Sequence, residues 1–390
     1  MPGSELPAEP GAAGGPTRSS GDGPGAWVHT SVSQQLVYGD GAVGGLVDLF
    51  RALGVRRAML VTTPGRADSD QGAQVRRAMG RTLASTFAEV EAHVPTPTVQ
   101  AALRQARRDG IDGVVSFGGG ACIDTAKAVG FFTEQEQGTP GDSFADRPTV
   151  PHLSVPTTHA GAELTAGFAM TDPATRTKSG AAAPTLVPQA VLYDPALSRT
   201  LPGRLVAETA MAALAHALEA AWSPRRSPEA EALALAGIER LAAGLPAVVD
   251  DETDPAARAE VLTGSILAGR ALQNASPGVL EGLALVLGGR TGLSHGLACA
   301  LLVEAAVRFN AEAEPAAVAR LGRALGADDA AAGVGALVER LGLPRHLSDL
   351  GVSDEDLEAV ARLSQSNPAV RANPRPVSED DALALLESAF

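Results

Sequence analysis

Between about Val28 and Pro195, short β-rich runs alternate with stretches of helical period. Ala58-Met59-Leu60-Val61-Thr62 reads as a strand, entered from a helix-like stretch, Val43 to Leu53, and ended by Thr63-Pro64-Gly65. Val99 to Arg108 sets Ala102, Leu103 and Ala106 on one face, which predicts an amphipathic helix. Gly113-Val114-Val115-Ser116-Phe117 follows as a second strand. It runs straight into Gly118-Gly119-Gly120 and then into a helix carrying Ile123, Ala126, Lys127 and Val129. Such alternation predicts a parallel sheet covered by helices.

Past about Asp194 the strand pattern stops. The remaining text is rich in Ala and Leu, helical in period and broken by Gly and Pro, so a mainly helical second domain is expected. Its helix from about Leu205 to Trp222 places Met211, Leu214, Ala215 and Leu218 on an apolar face. Further helices are predicted near Glu229 to Leu245, Ala256 to Ala275, Leu297 to Phe309 and Ala316 to Leu325. The expected organisation is a tail over 1–26, an α/β domain over 27–197 and a helical domain over 198–390, with the active site in the cleft between the two domains.

Composition narrows the function. A chain of 390 residues with 45% hydrophobic positions fits two domains of ordinary size. It carries no uncharged apolar run of about 18 residues, so no membrane span is expected. A formal charge of −14 argues against nucleic acid or an anionic membrane as partner, because phosphate contacts need clustered cations. The two cysteines, Cys122 and Cys299, supply neither a disulfide framework nor a cysteine-based zinc site, and imply a reducing, cytoplasmic setting. The first 26 residues are rich in Gly, Pro, Ser and Ala without an apolar core, which predicts disorder rather than a secretory signal.

The candidate chemistry begins at Gly118-Gly119-Gly120. Glycines after a strand let backbone approach a pyrophosphate, and the N–H groups of the next helix bind negative charge; a tight structural turn would look the same. The longer string Gly118-Gly119-Gly120-Ala121-Cys122-Ile123-Asp124-Thr125-Ala126-Lys127 resembles the signature of iron-containing alcohol dehydrogenases, with Ala121 in place of the usual Ser. Pro95-Thr96-Pro97-Thr98-Val99 resembles that superfamily's element ahead of the glycines. Val155-Pro156-Thr157-Thr158-His159-Ala160-Gly161-Ala162-Glu163-Leu164-Thr165 resembles its Pro-Thr-Thr loop, in the form found in the maleylacetate reductase branch. His295-Gly296 with Arg308-Phe309-Asn310 resembles its late segment. The resemblance runs from about Tyr38 to Asn310, and no Gly-x-Gly-x-x-Gly opens the first βα unit.

The resemblance implies the dehydroquinate synthase-like architecture, a parallel-sheet dinucleotide-binding domain followed by a helical one. It also implies hydride transfer between NAD(P) and a carbonyl or secondary alcohol. Pyrophosphate would lie at Gly118, Gly119 and Gly120, with Asp124 of the same signature on the cofactor side. Thr157 and Thr158 would contact ribose or nicotinamide, and Lys178 ribose. NAD is the expected cofactor and NADP stays open: Thr63 stands where many NAD-preferring relatives carry Asp, and Arg66 just beyond either pairs with a phosphate or is solvated. The superfamily holds a metal with an Asp and a His at i, i+4 on one helix and two later histidines. Here those positions read Ala212, His216, Glu281 and His295, and Leu285 fills a nearby position that is often His. His216, Glu281 and His295 either gather zinc or iron, or act without metal through hydrogen bonds. His159, where the reductases carry Tyr, is a candidate acid/base or substrate anchor. His29, His93, His152 and His346 match no motif. The substrate is a small molecule or a peptide, either maleylacetate-like or a β-hydroxy acid that loses CO2 on oxidation, and a homo-oligomer is expected. A non-redox lyase of the dehydroquinate synthase type and a cofactor-binding pseudoenzyme are the alternatives.

Overall fold

The computed structural model describes residues 27–138 and 148–390; the predicted tail, 1–26, lies outside them. Eight strands follow in order: β1 Gln35–Tyr38, β2 Ala58–Thr62, β3 Leu83–Phe87, β4 Gly113–Gly118, β5 His152–Pro156, β6 Gly167–Asp172, β7 Thr177–Ala182 and β8 Ala190–Tyr193. Six of them form one sheet in the order β1-β8-β5-β4-β2-β3, with every neighbouring pair parallel. Parallel strands need crossovers, and the crossover helices cover both faces. Side-chain alternation then divides the core in two. Leu60, Val115, Phe117 and Leu153 meet Leu46 and Phe50 of helix Leu46–Leu53 on one face. Met59, Val61 and Val114 meet helices Thr96–Asp109 and Gly120–Glu136 on the other, through Ala102, Leu103, Cys122 and Ala126.

Strands β6 and β7 form a separate antiparallel hairpin, in register from Gly167↔Ala182 to Asp172↔Thr177. Sequence reading did not single it out, because Thr177–Ala182 is small, polar and half-exposed and lacks an apolar alternation.

Beyond β8 the fold is helical. Helix Gly203–Trp222 is buried on every side from Ala210 to Trp222, so it is a central core helix rather than an amphipathic surface one. Helices Pro228–Asp250, Pro255–Leu272, Val279–Thr291 and His295–Asn310 surround it. Helix Pro228–Asp250 is long and apolar enough to cross a membrane by length and composition. Its Ala234, Ile238, Leu241, Leu245 and Val248 row is buried in the helical core, which accounts for that apolarity. Helix starts follow capping chemistry: Ser227 and Asp254 each accept an N–H from the first turn, with Pro in the first helical position.

Candidate active site

The glycine turn sits where β4 meets helix Gly120–Glu136. Gly118 has φ +147°, and a Cβ there would stand 2.5 Å from Cys122 Sγ, so only glycine fits. The neighbouring strand β5 delivers the Pro-Thr-Thr loop to the same edge. Thr157 N–H donates to Gly118 O at 3.0 Å. Thr158 lies over Gly119, whose added Cβ would come within 2.9 Å of its Cγ2. The fold thus brings Gly118, Gly119, Gly120, Thr157 and Thr158 together at the carboxyl ends of adjacent parallel strands, where open α/β sheets bind ligands. Thr157 Oγ1 is buried and has no hydrogen-bond partner among the described residues.

Lys127, seven residues into that helix, is fully buried. Its Nζ donates to the carbonyls of Ala162 (2.6 Å), Thr165 (2.8 Å) and Gly167 (2.7 Å). Burial draws its pKa down to about 8, against the opposing charges of Asp124 and Glu163. Asp124 Oδ2 accepts from Ala169 N–H at 3.3 Å. Burial raises the Asp124 carboxyl, while Lys127, the Ala169 amide, Lys178 and His295 favour its charge, so it faces the hairpin and the cleft.

Three helices supply the opposite wall. His216 lies buried in the core helix, Glu281 in the first turn of helix Val279–Thr291, and His295 opens helix His295–Asn310, capped by Ser294. Glu281 Oε2 stands 3.0 Å from His295 Nε2 and 3.5 Å from His216 Nε2. Two devices set this geometry. An added Cβ at Gly296 would fall 2.0 Å from Glu208 O, so glycine lets the His295 helix press against the His216 helix. Glu219, one turn past His216, accepts N–H bonds from Gly278 and Leu280 at 2.8 Å and from Glu281 at 3.3 Å, seizing the open start of the Glu281 helix. Burial holds the Glu219 carboxyl up at about 8, with those N–H groups pulling the other way and Glu281 adding to the rise.

Burial disfavours the Glu281 carboxylate, yet His295 and His216 outweigh it and hold the group well below the ordinary carboxylate range. Burial likewise disfavours a charged His295, but Cys299 and Glu281 hold the ring well above the usual imidazole value. Cys299 Sγ lies 3.7 Å from His295 Nε2, a neighbour that sequence reading missed although the i, i+4 spacing on one helix announces it.

The donor set suits a divalent cation. One carboxylate oxygen and two imidazole nitrogens lie within 4.8 Å of one another, the span of ligands held ~2.0–2.2 Å from one ion. Ala212, one turn before His216, and Leu285, one turn after Glu281, add no donor.

Lys178 occupies β7 and reaches the helical wall: an added Cβ at Gly289 would touch its Cγ at 3.2 Å, and one at Gly288 its Nζ at 3.6 Å. Gly288-Gly289-Arg290-Thr291 forms the last turn of helix Val279–Thr291, with Gly292 as its left-handed cap, and its glycines make room for Lys178. The Lys178 ammonium has no hydrogen bond or ion pair among the described residues. Burial lowers its pKa, opposed by Asp124, Glu281 and Cys299. His159 stands apart from the cluster. Its N–H donates to Thr209 Oγ1 at 3.3 Å, it lines a small cavity with Thr157, Thr158, Tyr193 and Leu262, and burial keeps its ring neutral down to about pH 4.

Two further groups were given no role by the sequence. His93 and Val94 both take positive φ, 61° and 51°, a strained backbone at the cleft, and burial together with Lys178 lowers the His93 pKa against a bond to the Gly292 backbone. Glu163 is buried and accepts the Tyr193 hydroxyl at 2.8 Å.

The chain is similar to known proteins over most of its length. Residues 33–195 match the family described as iron-containing alcohol dehydrogenase, and residues 206–390 its C-terminal family, Fe-containing alcohol dehydrogenase family, C-terminal. Maleylacetate reductase of Burkholderia cepacia is 33% identical over 357 residues, covering 91% of this chain and 95% of its own. That of Rhizobium sp. (strain MTP-10005) is 31% identical over 364 residues, covering 93% and 97%. The crystal structure of maleylacetate reductase from Agrobacterium tumefaciens superposes with a TM-score of 0.81 at 29% identity, covering 94% of this chain and 98% of that one. These likenesses make the chain a member of the iron-containing alcohol dehydrogenase family, in its maleylacetate reductase branch, and an NAD(P)-dependent oxidoreductase.

Proposed function

We propose that this protein uses NAD(P)H to reduce the keto group of an anionic substrate, a keto acid of the maleylacetate kind. The observation that carries the reading is Lys178, a half-buried ammonium that feels the charges of Asp124 and Glu281 but has no hydrogen bond or ion pair among the described residues. A buried cation left unpaired is unfavourable unless something anionic completes it, and a substrate carboxylate does so.

Gly118 to Gly120, with Thr157 and Thr158, are the residues that would hold the nucleotide, which when bound would supply hydride to the carbonyl carbon; the carbonyl oxygen would take a proton, giving a secondary alcohol. Lys178 orients the substrate carboxylate, in place of the ribose contact that the resemblance implied. In the version without metal, Glu281 retains a proton on His295 Nε2 across 3.0 Å, available to a group docked beside it. His216, Glu281 and His295 are the residues that would hold a zinc or iron ion, which supplies Lewis-acid polarisation of the carbonyl when bound.

The test is NAD(P)H oxidation, followed by absorbance, with maleylacetate and with uncharged aldehydes. The keto acid should give the higher kcat/KM, and Lys178→Met should raise its KM about tenfold or more while leaving dinucleotide Kd unchanged. Equal use of uncharged aldehydes, or an unaltered KM in Lys178→Met, would refute the reading. Running the assay with NAD(P)+ and a β-hydroxy acid detects the oxidative version of the same recognition.

A further inference from the structure

Where β2 ends, beside the glycine turn, stands a cation that the reaction above leaves unused. Strands β2 and β4 are paired with Thr62 opposite Phe117, and Thr62 Oγ1 donates to Phe117 O at 2.7 Å, so Thr63 and Gly118 leave the sheet side by side. The Arg66 guanidinium carbon lies 5.5 Å from the Phe117 ring centroid, and Arg66 Cδ would be 3.6 Å from a Cβ on Gly118. Its guanidinium makes no hydrogen bond or ion pair among the described residues, although Arg66 is half-buried. The titratable group felt there is the Cys122 thiol, which burial pushes up to about 12 and so leaves neutral. Arg66 stays cationic, because guanidinium does not deprotonate in proteins. Thr63 offers no carboxylate to accept a ribose 2′-hydroxyl or repel a phosphate there.

We propose that Arg66 is the specificity residue of the nucleotide site: its guanidinium receives the 2′-phosphate of NADP(H), so that the protein prefers NADP(H) over NAD(H). This rests on the reading of Gly118 to Gly120 as the nucleotide turn. The planar fork of Arg suits a phosphate, and its position near the Phe117 ring sets it beside the glycine turn. Arginine near the ribose is the general means by which such folds accept the extra phosphate.

The experiment is calorimetric binding of 2′,5′-ADP and 5′-AMP to the full chain, which needs neither substrate nor turnover. The wild type should bind 2′,5′-ADP at least about tenfold more tightly than 5′-AMP. Arg66→Gln should erase that preference while leaving 5′-AMP affinity unchanged, and Arg66→Lys should keep part of it. Thr63→Asp should reverse the preference. Equal wild-type affinities overturn the proposal and leave the nucleotide reading standing, as does a preference that survives in Arg66→Gln. Equal loss of both ligands in Arg66→Gln overturns it too, by assigning Arg66 to the 5′-phosphate. If neither these ligands nor NAD(P)H binds, the nucleotide reading itself falls, and the proposal with it.

Discussion

Gly296→Ala tests whether the His-Glu-His wall depends on close helix contact. The new Cβ would sit 2.0 Å from the Glu208 carbonyl oxygen and 2.8 Å from its carbon, and both are backbone atoms that no rotamer change can move. Ordinary contact begins at 3.4 Å, so helix His295–Asn310 must back away by roughly 1 Å or more, carrying His295 with it. Overpacking of this kind costs about 1–3 kcal/mol of stability. A misplacement of about 1 Å costs up to ~10²-fold in turnover where alignment matters. The expected result is a folded protein with modestly lower Tm, unchanged dinucleotide Kd and kcat/KM reduced ~10²-fold. Thermal melting, calorimetric titration with NAD(P)H and steady-state kinetics read the three quantities. A variant that melts lower yet keeps kcat/KM within twofold of wild type would show that the 3.0 and 3.5 Å contacts of Glu281 do not govern the chemistry.

His216→Ala and His295→Ala should each lower turnover by ~10²–10⁴-fold while sparing dinucleotide affinity, and elemental analysis of the same proteins should show any bound zinc or iron lost with the activity. Full activity in both would defeat the assignment. Gly119→Asp places a charge at the pyrophosphate position and a Cβ 2.9 Å from Thr158, so dinucleotide Kd should rise about tenfold or more, some 1.4 kcal/mol. Acid should destabilise the fold through His159. Unfolded histidine takes a proton near ~6.5 and the buried ring only at about 4, so the unfolded state binds more protons in between and stability falls as pH drops through that window. The loss is on the order of 2 kcal/mol by pH 5; His159→Asn should flatten the Tm profile between pH 8 and 5, and an unchanged slope would count against the burial argument.

What was legible in the sequence follows from how local each signal is. Strand Ala58–Thr62 was read to the residue, and helix Thr96–Asp109 nearly so, because apolar period and flanking Gly or Pro are local facts. The glycine turn was legible for the same reason. Helix Val279–Thr291 was not, since Leu280, Leu283, Ala284 and Leu287 face the core among glycines whose purpose appears only when Lys178 and Val370 are seen lying on them. Glu281 follows from the ligand positions that the resemblance implies, yet nothing in one chain could say that Glu219 holds its helix in place. His93 was passed over because backbone strain leaves no mark in residue type. His159 was placed by its loop, and its actual surroundings are set by Thr209, from a helix far along the chain.

Lys127 has a mechanical consequence. Its three carbonyl bonds fasten the loop after β5 and the first residue of β6 to the helix that begins at the glycine turn. The next strand, β7, lies through Lys178 on Gly288 and Gly289 of the helical wall. The hairpin is therefore a strut, bolted at one end to the helix of the glycine turn and resting at the other on the wall that carries Glu281. Any widening between floor and wall would have to turn about that strut.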